Sequence, residues 1–152
     1  FGKGRVSTHL IVGLGETENE MIGTIQKCVD IGVLPALFAF TPISGTALQK
    51  TAQPEIHRYR RIQLARHLIW SKIARYEDMR FDEKGFISDF GVKKKTLMQT
   101  IRSETSFLTS GCPNCNRPYY NEKPSGPIYN YPKKICKKEM DEIERQLDLS
   151  GI

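Results

Sequence analysis

Two short stretches of the chain carry residue types that can hold a ligand, and the first lies near its start. Gly13 and Gly15 follow an apolar stretch, and Glu16 comes directly after them. Because glycine has no side chain, the backbone at these positions lets a ligand come within hydrogen-bonding distance. The Glu16 carboxylate would repel a phosphate and suits an amine or a ribose hydroxyl better. The pattern therefore predicts a ligand-binding turn that is neither a P-loop nor a dinucleotide turn, with a purely steric use of glycine as the alternative.

The second stretch is a C-x-x-C motif formed by Cys112 and Cys115. This spacing lets two thiolates converge on one metal ion or cluster. The other cysteines are Cys28, on the face of a predicted helix, and Cys136. Four interpretations stay open: an iron–sulfur or other metal site completed from outside this segment, a zinc site that includes Cys136, a redox pair, and an inert turn.

The glycine turn follows from a predicted strand–helix–strand unit. The first strand ends at Val12, a helix covers about Glu18 to Asp30, and Leu34 to Phe40 is the second strand. Both strands are apolar without alternation, which is typical of parallel strands buried on both faces. A capping box over residues 17–20 specifies the helix start. Because the strands of such a unit are parallel, the turn and the loop after Phe40 are expected to face one pocket.

Weaker patterns divide the rest of the chain. A tight turn between short strands is predicted within Arg80–Phe86, and no periodic pattern is visible from Ser103 to Ile135, where prolines and tyrosines are frequent. The tyrosines indicate that this irregular stretch packs on something. Three further helices are predicted, over Pro54–Tyr76, Val92–Ile101 and Lys138–Leu149.

The chain has 152 residues, 39% of them hydrophobic, and a net charge of +6. This composition predicts one domain of ordinary size with a real core. The basic residues form separate clusters, which favours solvated helix faces or a docking surface for an acidic protein. Nucleic acid is disfavoured because aromatic and basic residues do not interleave. No apolar run is long enough for a membrane span and no signal peptide is visible, so we expect a cytoplasmic protein. The chain opens without an initiator Met, as if cut from something longer.

Three segments resemble one enzyme family. Residues 7–17 are similar to the fifth-strand motif G-x-I-x-G-x-x-E of radical S-adenosylmethionine enzymes of the biotin synthase and lipoyl synthase-related branch. Ile11, Gly13 and Glu16 match that motif, whereas His9 replaces its first glycine. Residues 40–48 are similar to the sixth-strand loop of the same enzymes. Residues 112–132 resemble the tail of biotin-synthase-related proteins that include a two-component lipoyl synthase.

The resemblance implies an α/β fold, the carboxyl half of a partial (β/α) TIM-like barrel with parallel strands. Residues 1–102 would form this half barrel, and residues 103–152 an irregular Cys/Tyr/Pro-rich tail with a terminal helix. The family's cluster-binding C-x-x-x-C-x-x-C motif is absent from the chain. It would precede Phe1, so the segment alone is expected to be inactive.

The resemblance also implies the chemistry. The whole enzyme would cleave S-adenosylmethionine reductively to a 5'-deoxyadenosyl radical and use it for sulfur insertion, with [4Fe-4S] clusters as further cofactors. Cys112 and Cys115 would be ligands of an auxiliary cluster. The implied partners are an acidic acyl or lipoyl carrier protein and a companion synthase subunit. The implied cofactor-binding residues are Thr8, His9, Gly13, Gly15, Glu16, Phe38, Phe40 and Thr41.

Two other functions remain as alternatives. A small metal-binding module could use its C-x-x-C motif and basic clusters to contact a partner without catalysis. A nucleotide-dependent transferase could use the turn at Gly13, although Glu16 and the absence of a P-loop lysine disfavour it.

Overall fold

The first forty residues form a parallel strand–helix–strand unit. In the computed structural model, which describes residues 2–103, 105–110 and 126–149, the unit consists of β1 (Val6–Val12), α1 (Glu18–Asp30) and β2 (Val33–Ala39). The strands pair in parallel over their full length, from Val6 opposite Val33 to Val12 opposite Ala39. The predicted unit is therefore confirmed, with β2 starting one residue earlier than expected.

The start of α1 is fixed by the predicted capping box. The Glu20 backbone N–H donates to Thr17 Oγ1 at 3.2 Å, and the Thr17 N–H donates to Glu20 Oε2 at 2.7 Å. This reciprocal pair satisfies two N–H groups that the first helical turn leaves without partners. The helix then buries one apolar face, formed by Met21, Ile22, Ile25 and Val29.

The central element is α2 (Ile56–Trp70), which is buried throughout the stretch from Ile62 to Arg66. The helix begins two residues after the predicted Pro54 but ends six residues before the predicted Tyr76, so the prediction was wrong at the carboxyl end. After Trp70 the chain turns away, since Lys72 adopts a left-handed conformation with φ of 58° that the helical repeat does not allow.

The remaining elements are short. The predicted turn joins the antiparallel strands β3 (Arg80–Phe81) and β4 (Ile87–Asp89), as expected. Short 3-10 turns lie at Tyr76–Asp78 and Thr105–Phe107, and an isolated parallel bridge joins Leu108 to Tyr131. The other two helices, each within two residues of its predicted bounds, are α3 (Lys94–Arg102) and α4 (Lys137–Leu147).

One continuous core links the strand–helix–strand unit to the described part of the tail. It contains Val12 and Leu37 of the sheet, Ile62 of α2, and Phe107 and Leu147 from the tail. Tyr129 and Tyr131 are also buried, as expected for an irregular stretch rich in aromatic residues. None of the helices in the described ranges combines the length and the apolar character needed to cross a bilayer.

The two parallel strands differ in burial. Pro35, Ala36 and Leu37 of β2 are buried, whereas Val6 and Ile11 of β1 are 42% and 46% exposed. The expectation that both strands are covered on both faces is therefore wrong for β1. Over the described ranges the parallel sheet has two strands and does not close into a barrel, so the TIM-like architecture remains a proposal.

Candidate functional site

The carboxyl ends of β1 and β2 lie side by side, as the parallel pairing requires. The Phe40 N–H donates to the Val12 carbonyl at 2.8 Å, which extends the pairing one residue beyond β2. The glycine turn at residues 13–16 and the loop after Phe40 consequently leave the sheet at the same end. Open α/β sheets bind ligands at this end of their strands.

The two glycines of the turn have different surroundings. Gly13 and Gly15 have φ values of 106° and 111°, which residues with side chains rarely adopt. A Cβ atom on Gly13 would lie 2.8 Å from Cδ of Pro54, whereas a Cβ atom on Gly15 would meet no atom within 4 Å. Close packing against Pro54 therefore explains Gly13. Gly15 is the glycine whose backbone stays open to a ligand.

The side chain of Glu16 stabilises the glycine turn by accepting hydrogen bonds from its backbone. Its Oε1 accepts a hydrogen bond from the Gly13 N–H at 2.8 Å, and its Oε2 accepts one from the Leu14 N–H at 2.9 Å. The Arg58 guanidinium lies 3.1 Å from Oε1 and also donates to the Glu16 carbonyl. Since both carboxylate oxygens already accept hydrogen bonds, the carboxylate holds the backbone of the turn in place. No local sequence pattern indicated the contribution of Arg58.

One face of the sheet is apolar and open beside this turn. The register and the alternation of side chains put His9 and Ile11 on the same face as Ala36 and Phe38. The rings of His9 and Phe38 meet edge to face, with centroids 4.9 Å apart. Ala36 is buried, and we call the other three residues, His9, Ile11 and Phe38, the open face. Thr8 belongs to the opposite face, so the structure does not bring it together with His9 and Phe38.

The loop after β2 supplies the last predicted residues. Phe40 and Thr41 are half-buried, and Gln53 Nε2 donates to Thr41 Oγ1 at 3.3 Å. This bond ties the loop to the segment that precedes α2. Five of the eight predicted residues, all except Thr8, Gly13 and Glu16, thus offer open backbone or an accessible side chain at this end of the sheet.

Two cavities flank the sheet at different places. A shallow one of about 320 Å³ lies where β1 meets α1 and is lined partly by His9, Ile11, Leu14 and Glu16. A larger one of about 870 Å³ lies at the opposite end of the sheet, next to Val6 and Val33, where the strands begin. The smaller cavity is the one that adjoins the glycine turn.

The carboxylate of Glu18 orients the helix that follows the turn. Glu18 is fully buried, and its Oε1 accepts hydrogen bonds from Arg61 Nε and Nη2 at 2.9 and 2.7 Å. Its Oε2 accepts from the Ile87 N–H at 2.7 Å. A buried carboxylate needs such partners because burial without them is costly. The pair joins the start of α1 to α2 and β4.

A buried polar cluster on α2 was not predicted from the sequence. Arg60 is fully buried and donates to Oε1 of Gln63 and to the Tyr129 carbonyl. Gln63 Nε2 donates to the same carbonyl and to Asn130 Oδ1, both at 2.9 Å. These bonds hold residues 126–135, which we call the tail strap, against α2. The sequence signal for this cluster was weak, because Arg60 and Gln63 lie on a helix face that also carries His67.

The strap and α2 also cover the outer edge of β2. Because Phe40 donates to Val12, even-numbered residues of β2 direct their backbone groups towards β1, and odd-numbered residues direct theirs outwards. The outward carbonyl of Pro35 accepts from Arg66 Nε at 2.9 Å, and that of Leu37 accepts from Asn130 Nδ2 at 3.4 Å. Burial lowers the pKa of Arg66 to about 10, so its guanidinium stays charged at neutral pH.

The predicted metal ligands Cys112 and Cys115 lie outside the described residues. Within the described ranges, no group of three His, Cys, Asp or Glu side chains is arranged to hold a metal ion. Cys136 is exposed at the start of α4, and Cys28 is half-buried on α1, where burial raises the pKa of its thiol.

Comparison of the chain with protein-family models, with curated protein sequences and with solved structures found no match.

Proposed function

We propose that the chain is part of a radical S-adenosylmethionine enzyme of the biotin synthase and lipoyl synthase-related branch, and that its glycine turn and open face hold the cofactor. The observation that carries the proposal is the pair of adjacent parallel strand ends, where an open glycine lies beside an open apolar face. The motif at Ile11, Gly13 and Glu16 occurs at this place in the fold. The rest of the barrel, its cluster-binding cysteines and the sulfur-insertion chemistry belong to the same proposal.

The residues at this end of the sheet fit an adenosine group. The faces of an adenine ring are apolar and its edge is polar, so a site needs an apolar surface next to free backbone groups. Ile11, 46% exposed, and the His9–Phe38 ring pair supply the surface. The backbone of Gly15, which no packed side chain covers, supplies free donors and acceptors just beyond the end of β1. Glu16 acts through the turn that it braces.

In the whole enzyme, S-adenosylmethionine would supply a 5'-deoxyadenosyl radical on reductive cleavage. The part of this chain is to bind and orient the adenosine and to exclude water around it. Neither task requires a general acid, a general base or a nucleophile. The apolar character of the open face fits both.

The experiment that tests the proposal is a titration of the ¹⁵N-labelled chain with S-adenosylmethionine. We expect amide shift changes at Gly15, in the open face and at Thr41, because the ligand contacts the backbone there. Ile11→Ser should weaken binding about tenfold by removing apolar contact. Ile31→Ser is the matched control, since Ile31 is 77% exposed at the far end of α1.

Three outcomes would contradict the proposal. Shift changes confined to the large cavity at the other end of the sheet would place the site elsewhere. Equal effects of the two Ile→Ser variants would remove the open face from binding. Competition by ATP at equal affinity would favour the nucleotide-dependent transferase.

The C-x-x-C motif is tested separately by anaerobic reconstitution of the chain with iron, sulfide and excess small-molecule thiol, which can complete a cluster that receives two ligands from the chain. We propose that Cys112 and Cys115 are ligands of an auxiliary cluster, so replacement of both by Ala should abolish the brown chromophore. Replacement of Cys28 and Cys136 by Ala is the matched control and should preserve it. Stoichiometric zinc without bound iron would instead favour the metal-binding module.

A further inference from the structure

The tail strap reaches the glycine turn through one short chain of contacts. Tyr129 Oη donates to the carbonyl of Pro54 at 2.7 Å. The ring of Pro54 occupies the space next to Gly13 where a Cβ atom would be only 2.8 Å away. Gly13 in turn donates its N–H to Glu16. The hydroxyl of a tail residue is therefore two contacts away from the turn.

Tyr129 is itself held firmly. It is 2% exposed, and its ring meets that of Tyr59 edge to face, with centroids 5.0 Å apart. Its carbonyl accepts hydrogen bonds from Arg60 and from Gln63. A side chain fixed at both its ring and its backbone can transmit a position to the group that it touches.

A second contact joins the strap to the other half of the site. Asn130 Nδ2 donates to the Leu37 carbonyl on the outer edge of β2 and to Tyr59 Oη at 3.0 Å. Leu37 directly precedes Phe38, whose ring belongs to the open face. The strap thus contacts both structures that frame the proposed site, the glycine turn through Pro54 and β2 through Leu37.

From these contacts we infer that Tyr129 is a positioning residue for the glycine turn. Its hydroxyl fixes Pro54, and Pro54 fixes Gly13 and with it the N–H groups of Gly13 and Leu14 that Glu16 holds. The role of the turn in binding S-adenosylmethionine rests on the proposed function. The positioning of the turn itself does not.

Two tyrosines of the same strap allow a matched experiment. Tyr129→Phe removes the hydroxyl that donates to Pro54. Tyr131→Phe makes the same chemical change at another buried ring, which lies 5.3 Å from the guanidinium carbon of Arg60. We expect Tyr129→Phe to shift the amide resonances of Gly13, Leu14 and Gly15 in the ligand-free chain. Tyr131→Phe should leave those three amides in place.

A ligand titration extends the test. Because one hydrogen bond is lost, Tyr129→Phe should bind S-adenosylmethionine about fivefold more weakly than the parent. The affinity of Tyr131→Phe should equal that of the parent. Unchanged turn amides in Tyr129→Phe would overturn the positioning role. Shifted turn amides in a chain that binds no S-adenosylmethionine would support that role and overturn the proposed function.

Pro54→Ala keeps the inference falsifiable if Tyr129→Phe fails to fold. This variant removes the ring from the other end of the same contact chain and leaves the Pro54 carbonyl for Tyr129. We expect it to shift the Gly13, Leu14 and Gly15 amides. If those amides do not move in Pro54→Ala, Pro54 does not set the turn and the inference is wrong.

Discussion

The two outer edges of the parallel sheet differ: side chains cap the edge of β2, whereas the edge of β1 is open in the described part of the chain. On β2, the outward carbonyls of Pro35 and Leu37 accept hydrogen bonds from Arg66 and Asn130, and Pro35 has no N–H to satisfy. On β1, the outer edge has no neighbouring strand within the described ranges. Proline and capping side chains are common devices that stop a sheet from growing.

This difference indicates in which direction the sheet can continue. Side chains occupy the place of a next strand beside β2, so further strands can join only beside β1. The open edge also carries the exposed Ile11 and adjoins the glycine turn. One edge of the sheet therefore belongs to the structural core, and the other is the edge at which the remaining strands of the proposed barrel would pair.

The largest effect is expected from releasing the tail strap that covers the outer edge of β2, which we call the closed edge. Arg60→Met removes the donor that holds the strap carbonyls, Gln63 and Gln146. Because several buried acceptors lose their partner together, the free energy of unfolding should fall by about 3–5 kcal/mol. Urea denaturation measures it. The control Arg102→Met breaks a more exposed ion pair to Glu144 and should cost less than about 1 kcal/mol. Similar losses in both variants would mean that the cluster does not hold the strap.

A pair of proline substitutions distinguishes the two sides of β1. The backbone N–H of Thr8 points towards β2 and that of Ser7 points to the open edge, since the residues alternate in phase with Val12. Thr8→Pro should therefore cost about 3 kcal/mol through the loss of a hydrogen bond within the sheet. Ser7→Pro should have a much smaller effect, because it removes a donor that β2 does not use.

The same pair tests whether the open edge associates. An exposed strand edge is a template for pairing with another chain, so we expect the chain to self-associate with rising concentration. Ser7→Pro should reduce that association in sedimentation velocity, while the protein stays folded. Equal destabilisation by both prolines would show that the assigned hydrogen-bonding phase is wrong.

Local patterns were sufficient to predict the strand–helix–strand unit from the sequence. The capping box at Thr17 and Glu20 and the apolar run before Gly13 depend on neighbouring residues, so the bounds of α1 and the end of β1 could be predicted. Pro35 also carried a local signal for an edge strand. It was outweighed by the apolar run around it, and both strands were expected to be covered on both faces.

The long-range contacts of the site left no such signal. Arg58 and Glu16 are 42 positions apart, and Tyr129 is 75 positions from Pro54. Spacing along the chain cannot indicate pairs that meet only in the folded state. For this reason Glu16 was expected to face a ligand, whereas its carboxylate holds the turn.

A smaller loss of stability is expected from removing Arg66, which caps the outer edge of β2 at Pro35. Arg66→Met leaves the buried carbonyl of Pro35 without its donor, which should lower the free energy of unfolding by about 1–3 kcal/mol. The core packing of the aliphatic part of the side chain is retained by Met. Arg58→Met is the comparison at a half-buried position of the same helix, since it removes a donor to Glu16 in the glycine turn and leaves the Pro35 carbonyl unchanged. A stability of Arg66→Met equal to that of the parent would indicate that water satisfies the Pro35 carbonyl.

The smallest effect concerns His67, the neighbour of Arg66 on α2. Burial lowers the pKa of His67 below its ordinary value of 6.5, and the charge of Arg66 lowers it further. In the window from 6.5 down to that lowered pKa, the unfolded chain binds a proton that the folded chain does not. Stability should therefore fall as the pH falls through this window. His67→Gln should flatten that dependence in urea denaturation curves measured between about pH 7 and pH 5.

Arg66→Met separates the two causes of the shift. Removing the guanidinium should raise the pKa of His67 only part of the way to 6.5, because burial is the larger cause. Histidine proton resonances followed by NMR give this pKa directly in both proteins. An unchanged pKa of His67 in Arg66→Met would mean that the charge of Arg66 does not affect His67. A pKa above 6.5 in the parent would contradict the burial of the ring, and with it the close packing of α2 behind β2.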